Sequence, residues 1–221
     1  MAESAQAARA SGPGADPRSA AVAFITTEHF TLQGARASTV AESTGRATMF
    51  LGAVSAGLVA LGLMATATQV GRAFYAFGLI LLPTLSFIGL VTFERVLQSG
   101  LEDLGYARRI AQLRAYYFDN APELGPYLYS VPPPQRLVIQ GLPGGGFQRF
   151  RTVAGMVAVI TSVLAGSTVG LLAAVSSNQS LLIGLVVGGA VGAAALVAMM
   201  RYQLSAWQQV AAAPLSASDE P

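Results

Sequence analysis

The feature that most constrains this chain is a set of four long apolar runs, residues 47–68, 73–93, 152–175 and 181–200, with no Asp, Glu, Lys, Arg or His inside them. Each is close to the roughly 20 residues an α-helix needs to cross about 30 Å of hydrocarbon. Backbone amides in hydrocarbon find no water to bond, so such a segment satisfies them within itself, as a helix. The expected fold is all-α: a polytopic membrane protein with four transmembrane helices. Composition agrees, with 53% hydrophobic and only 11% charged residues, against about 25% charged in soluble domains.

The joints "QVGR" (69–72) and "SSNQ" (176–179) are too short to return across a bilayer, so they fold the runs into two hairpins, 47–93 and 152–200. Around these the chain divides further. Residues 1–26 are small, polar and rich in Pro and Gly, which predicts a disordered tail with no apolar core of the kind a cleaved leader carries. Residues 27–46 lack proline and predict a juxtamembrane helix, in which Gly34, Ala37, Ala41 and Gly45 form a narrow strip of small residues. The second run continues past Phe93 as a helical extension over 94–118. There Leu97, Leu101 and Leu104 share one face, while Tyr106, Ile110, Leu113 and Tyr117 share the opposite one, so the apolar stripe changes sides at Gly105. Residues 119–151, with a triple proline at 132–134 and a triple glycine at 144–146, read as a linker, and 201–221 as a C-terminal tail. "GLPGGGFQRF" lacks both the Lys-Ser/Thr ending and the preceding strand of a phosphate loop.

All 13 basic residues are arginine, and only Arg72 falls on the face that carries the two short joints. Positive residues near span ends are retained on the cytoplasmic side. Both termini and the central segment are therefore expected in the cytoplasm, in a multi-pass protein of a bacterial inner membrane.

The most specific pattern within the runs is glycine spacing. Gly184, Gly188 and Gly192 repeat every four residues in the last run, and Ser162, Gly166 and Gly170 do so in the third. Small residues at this spacing let helix backbones approach in lipid, where packing drives association. The short joint already places the two runs side by side, so a seam within the chain is the first expectation. A contact between subunits and a pore wall are the alternatives.

Catalytic chemistry finds little footing. The chain has no cysteine, so disulfides, thiolate nucleophiles and cysteine metal ligands are excluded. The runs offer only Ser and Thr hydroxyls and Pro83 at depth, whereas ion-coupled transport or intramembrane hydrolysis needs charged or metal-ligating groups there. His29, the one histidine, sits beside Glu28 after Thr26 and Thr27 and is read as helix-terminus electrostatics, with the threonines as caps. No catalytic, cofactor or metal site is expected. Nucleic-acid binding is disfavoured as well, because 94–151 sets seven Arg against five acids. A partner surface or a lipid-headgroup contact is expected instead from Arg108, Arg109 and Arg114 with the aromatic cluster Tyr116, Tyr117, Tyr127 and Tyr129. A small core formed with Leu124, Leu137 and Ile139 would use the same aromatics differently.

The stretch "ESTGRATMFLGAVSAGLVALG" (42–62), a Gly-Arg before an Ala/Gly-rich run, resembles uncharacterised multi-helix membrane proteins of GC-rich Gram-positive bacteria. The resemblance covers mainly the first hairpin and implies no activity. The functional expectation is a non-enzymatic membrane scaffold or effector that forms a homo-oligomer and presents its cytoplasmic module to a protein partner. An oligomeric channel or membrane-permeabilising protein is the alternative, and a subunit of an enzyme whose catalytic chain is encoded elsewhere is a third reading.

Overall fold

The computed structural model describes residues 17–120, 152–177 and 180–212. Among these the chain is entirely helical: α1 (Pro17–Thr68), α2 (Arg72–Asn120), α3 (Val153–Ser176) and α4 (Leu181–Ala212). All four contain segments long and apolar enough to cross a membrane.

Helix α1 is a single piece of 52 residues, about 78 Å at the ~1.5 Å rise of an α-helix. It begins earlier than composition suggests. The tail expected to extend to residue 26 becomes helix at Pro17, because proline's fixed φ suits the first helical position and an Ala-rich stretch follows. Thr26 and Thr27 consequently lie inside the helix. Their hydroxyls donate to the carbonyls of Val22 and Ala23 at 2.8 and 2.9 Å, so neither is a cap.

Helix α2 runs beside α1, and contacts join residues placed symmetrically about the turn at Gln69–Gly71. Leu61 approaches Gly78, Leu85 approaches Gly57, Phe50 approaches Gly89, and Arg36 meets Asp103. On α1 the inward positions are Ile25, His29, Leu32, Arg36, Thr39 and Ser43, then Ala47, Phe50, Val54, Gly57 and Leu61. Their spacing of mostly three and four residues is that of a coiled-coil seam. The seam changes chemistry along its length: it is apolar beside the turn and polar over Arg36, Thr39 and Ser43. In the turn, Gln69 and Val70 hold φ at 49° and 57°, and the Val70 amide donates to the Ala65 carbonyl at 3.2 Å. A β-branched residue in the left-handed region is strained, and the neighbouring Gly71 does not take that conformation.

Helix α3 starts after Thr152, whose side-chain oxygen accepts from the Gly155 amide at 3.0 Å as an N-cap. α3 packs on α2 and on α4, so α2 and α3 form the middle of the assembly, with α1 and α4 flanking it. The core lies where the helices converge. Phe50 and Val54 of α1, Leu85 and Phe93 of α2, Val157 and Ala158 of α3, and Met199 and Met200 of α4 are all buried there. α4 then continues twelve residues beyond Met200 to Ala212, rather than ending as a tail at 201.

Candidate functional site: the glycine seam and the helical extension

The two glycine strips meet each other. A Cβ built on Gly166 would stand 2.5 Å from the carbonyl oxygen of Gly188, and one on Gly170 2.7 Å from that of Gly184. The relation is reciprocal: a Cβ on Gly188 would lie 2.7 Å from the Gly166 oxygen, and one on Gly184 2.8 Å from the Gly170 oxygen. At the end nearer the core Gly192 faces the carbonyl of Ser162, while the Ser162 hydroxyl donates to the Met199 sulfur at 3.6 Å. At Gly166, Gly170, Gly184 and Gly188 a side chain larger than hydrogen would force the backbones apart. Without side chains the two backbones approach directly, the close packing by which small residues hold helices together in lipid. All six residues are thereby turned toward the α3–α4 contact inside one chain, and Gly189, next to Gly188, faces open space.

Beside the seam runs an apolar groove of about 560 Å³, floored by Gly166, Gly170 and Gly188 and walled by Leu61, Phe74 and Leu82 of the first pair of helices. Ser162 and Ser167 are its side-chain hydroxyls. It exists because α4 leans on α3 and touches α2 little along the apolar runs.

Past the core, α1, α2 and the end of α4 form a second unit. Arg36 grips Asp103 in a fork, Nε to Oδ1 at 2.7 Å and Nη2 to Oδ2 at 3.3 Å. The Trp207 ring covers Gly100, 3.5 Å from where a side chain would begin, and the Phe93 and Tyr202 rings lie 6.5 Å apart. The buried Arg108 guanidinium donates to the carbonyl of Val210, capping the C-terminal turns of α4. Gln203 donates through Nε2 to the Thr152 hydroxyl at 3.2 Å, tying α4 to the start of α3.

This arrangement separates residues that the sequence groups together. Arg108, expected at a headgroup or partner surface, is turned inward because α4 extends far enough to bury it and to offer a carbonyl. Arg109, one residue on, is exposed, and Arg114 is half-buried at the α1 seam near His29. Tyr117 is half-buried against His29, whereas Tyr116 is exposed. Tyr127 and Tyr129 lie outside the described residues, as do Leu124, Leu137 and Ile139. The expected change of partner at Gly105 does not occur: Gly100 and Arg108 face α4 while Asp103, Arg114 and Tyr117 face α1, so α2 uses both faces before and after that glycine, and Leu104, Ala107, Ile110 and Ala111 are buried across it. Sequence reasoning missed the Arg36–Asp103 fork and the Gln203–Thr152 tie. The three-and-four spacing of Ile25, His29, Leu32, Arg36, Thr39 and Ser43 was the signal for the first, and nothing local announces the second.

Among the described residues no group of three or more His, Asp or Glu side chains converges in a way that could hold a metal ion. No protein-family model matches the chain, and neither a curated protein nor a solved structure is found to be similar to it.

Proposed function

We propose that this chain is a non-enzymatic membrane scaffold: its four apolar helices cross a bacterial inner membrane as two hairpins, and the extensions of α1, α2 and α4 stand in the cytoplasm to engage a protein partner. The observation that carries the reading is the change of chemistry along the α1–α2 seam. Beside the turn the seam is apolar and glycine-packed, suited to hydrocarbon; beyond Ala47 it also carries the charged Arg36–Asp103 fork and the inward-facing hydroxyl residues Thr39 and Ser43, suited to water. From Glu94 to Asn120 α2 would project about 40 Å beyond the bilayer at ~1.5 Å per residue. Exposed Glu28, Glu42, Arg95, Glu102 and Arg109 line this rod. Self-association belongs to the same proposal. Its contacts would use the open face of α4 around Gly189 and Ala193, since the paired glycines are already occupied within the chain.

A photo-crosslinking residue placed at Glu102 or Arg109 in native membranes tests the idea. Discrete adducts from these positions, absent from a bilayer-facing position such as Val186, are expected. No adduct from the rod, together with single-channel conductance of the purified protein in liposomes, would overturn the scaffold in favour of a channel.

A further inference from the structure

Most of the α1–α2 seam is closed by packing or by matched charge, but its far end is closed around a histidine. His29 points from α1 into the seam, where its ring meets the edge of Tyr117 on α2 with centroids 6.5 Å apart and planes at 78°. Its own neighbour Phe30 makes a similar edge contact at 6.4 Å. One turn earlier the Thr26 hydroxyl lies 3.5 Å from that of Tyr117, so the same tyrosine bridges both positions. The His29 Nδ1 is buried and has no hydrogen-bond partner. A buried nitrogen without a partner is tolerable while the ring is neutral and becomes costly once it carries charge.

The charged surroundings point the same way. Among the described residues α2 is the element packed against this part of α1, and the ionisable groups it contributes there are Arg114 and Tyr117. On α1 itself Glu28 is exposed. Burial, and after it the positive charge of Arg114, holds the His29 pKa below its ordinary 6.5. Among the described residues no carboxylate faces the ring to offset a second cation in the seam.

We propose that His29 is a proton-operated latch: neutral, it lets the ends of α1 and α2 close around Tyr117, and protonated, it drives them apart from Arg114 outward while the Arg36–Asp103 fork keeps the rest of the rod shut. The sign follows from linkage. The open state binds the proton more readily than the closed one, so closure is complete above about pH 6.5 and is lost progressively as the pH falls below it. The latch changes how far the rod is formed, and with it the surface available at its tip. It does not depend on which side of a membrane the rod occupies.

Because the chain has no cysteine, spin labels can be placed cleanly. One pair at the exposed Ala23 and Asp119 spans the tip, and a reference pair at Thr44 and Gln98 spans the rod beyond the fork. In the full-length protein in detergent, pulsed dipolar distances are measured between about pH 8 and pH 5, the range that brackets histidine titration. The tip distance should lengthen and broaden as the pH falls, with the reference pair unchanged. His29→Phe should remove the response, and Arg114→Gln should weaken it or move its midpoint to lower pH, because less repulsion then drives the ends apart. An unchanged tip distance down to pH 5, or the same response in His29→Phe, would overturn the latch. Failure of the membrane topology would leave these distances untouched, so the two readings fail separately.

Discussion

Gly166 and Gly188 face each other with so little space that the first carbon of any side chain on Gly166 would lie 2.5 Å from the Gly188 carbonyl oxygen. Overpacking a tight contact costs typically 1–3 kcal/mol. Gly166→Ala and Gly188→Leu should each lower thermal stability in detergent by that order, independently of protein concentration, because the contact lies within one chain. Gly189→Ala should be neutral or slightly stabilising, since nothing lies near its Cβ and helical glycine carries an entropic cost of about 0.5–1 kcal/mol. Equal melting of Gly188→Leu and wild type would refute the seam.

Where α1, α2 and α3 meet, Gly89 supports a second close approach. A Cβ there would overlap the Thr161 hydroxyl and stand 2.8 Å from the buried Phe50 ring. Thr161 Oγ1 is itself buried without a hydrogen-bond partner, so it has little room to retreat. Gly89→Ala should destabilise by about 1–3 kcal/mol, and Gly89→Ala combined with Thr161→Ala should recover part of the loss. A double variant no better than the single one would place the obstruction at Phe50 alone.

The Arg36–Asp103 fork is partly exposed, with side-chain accessibilities of 42% and 25%. Exposed pairs are worth about 0.2–1 kcal/mol in double-mutant cycles and weaken with salt. A cycle of Arg36→Ala and Asp103→Ala should return a coupling energy in that range that shrinks at high ionic strength. A coupling that is zero at low salt would mean the fork does not close the rod.

Arg108 caps the end of α4 from a neighbouring helix, and a hydrogen bond to a charged group contributes about 1.5–3 kcal/mol. Arg108→Gln should therefore raise hydrogen exchange selectively over the amides of residues 204–212, leaving the glycine seam protected. Uniform exchange changes along α3 and α4 would contradict a local role.

Val70 holds a left-handed backbone that its branched side chain disfavours, at φ 57°. Val70→Gly should raise stability by about 1 kcal/mol, the order of the penalty for a side chain in that region. A loss of stability on substitution would mean the turn needs the valine for packing.

The sequence by itself determined the helices, because long uncharged apolar runs satisfy their own amides most readily as helices long and apolar enough to cross a membrane, and it marked the glycines by their four-residue spacing. Helical extension past Phe93 was also legible, since no proline interrupts 94–118. Only the tertiary structure decided which surfaces meet. A strip of small residues looks the same whether it faces a neighbouring helix, a second subunit or a pore, and contact between the backbones of α3 and α4 distinguishes these. Arg108 and Arg109 are adjacent and chemically alike, yet one is buried on a carbonyl 102 residues away and the other is exposed. That difference is set by where α4 ends and by the ~100° that separates successive side chains on a helix, quantities no local window of the chain contains.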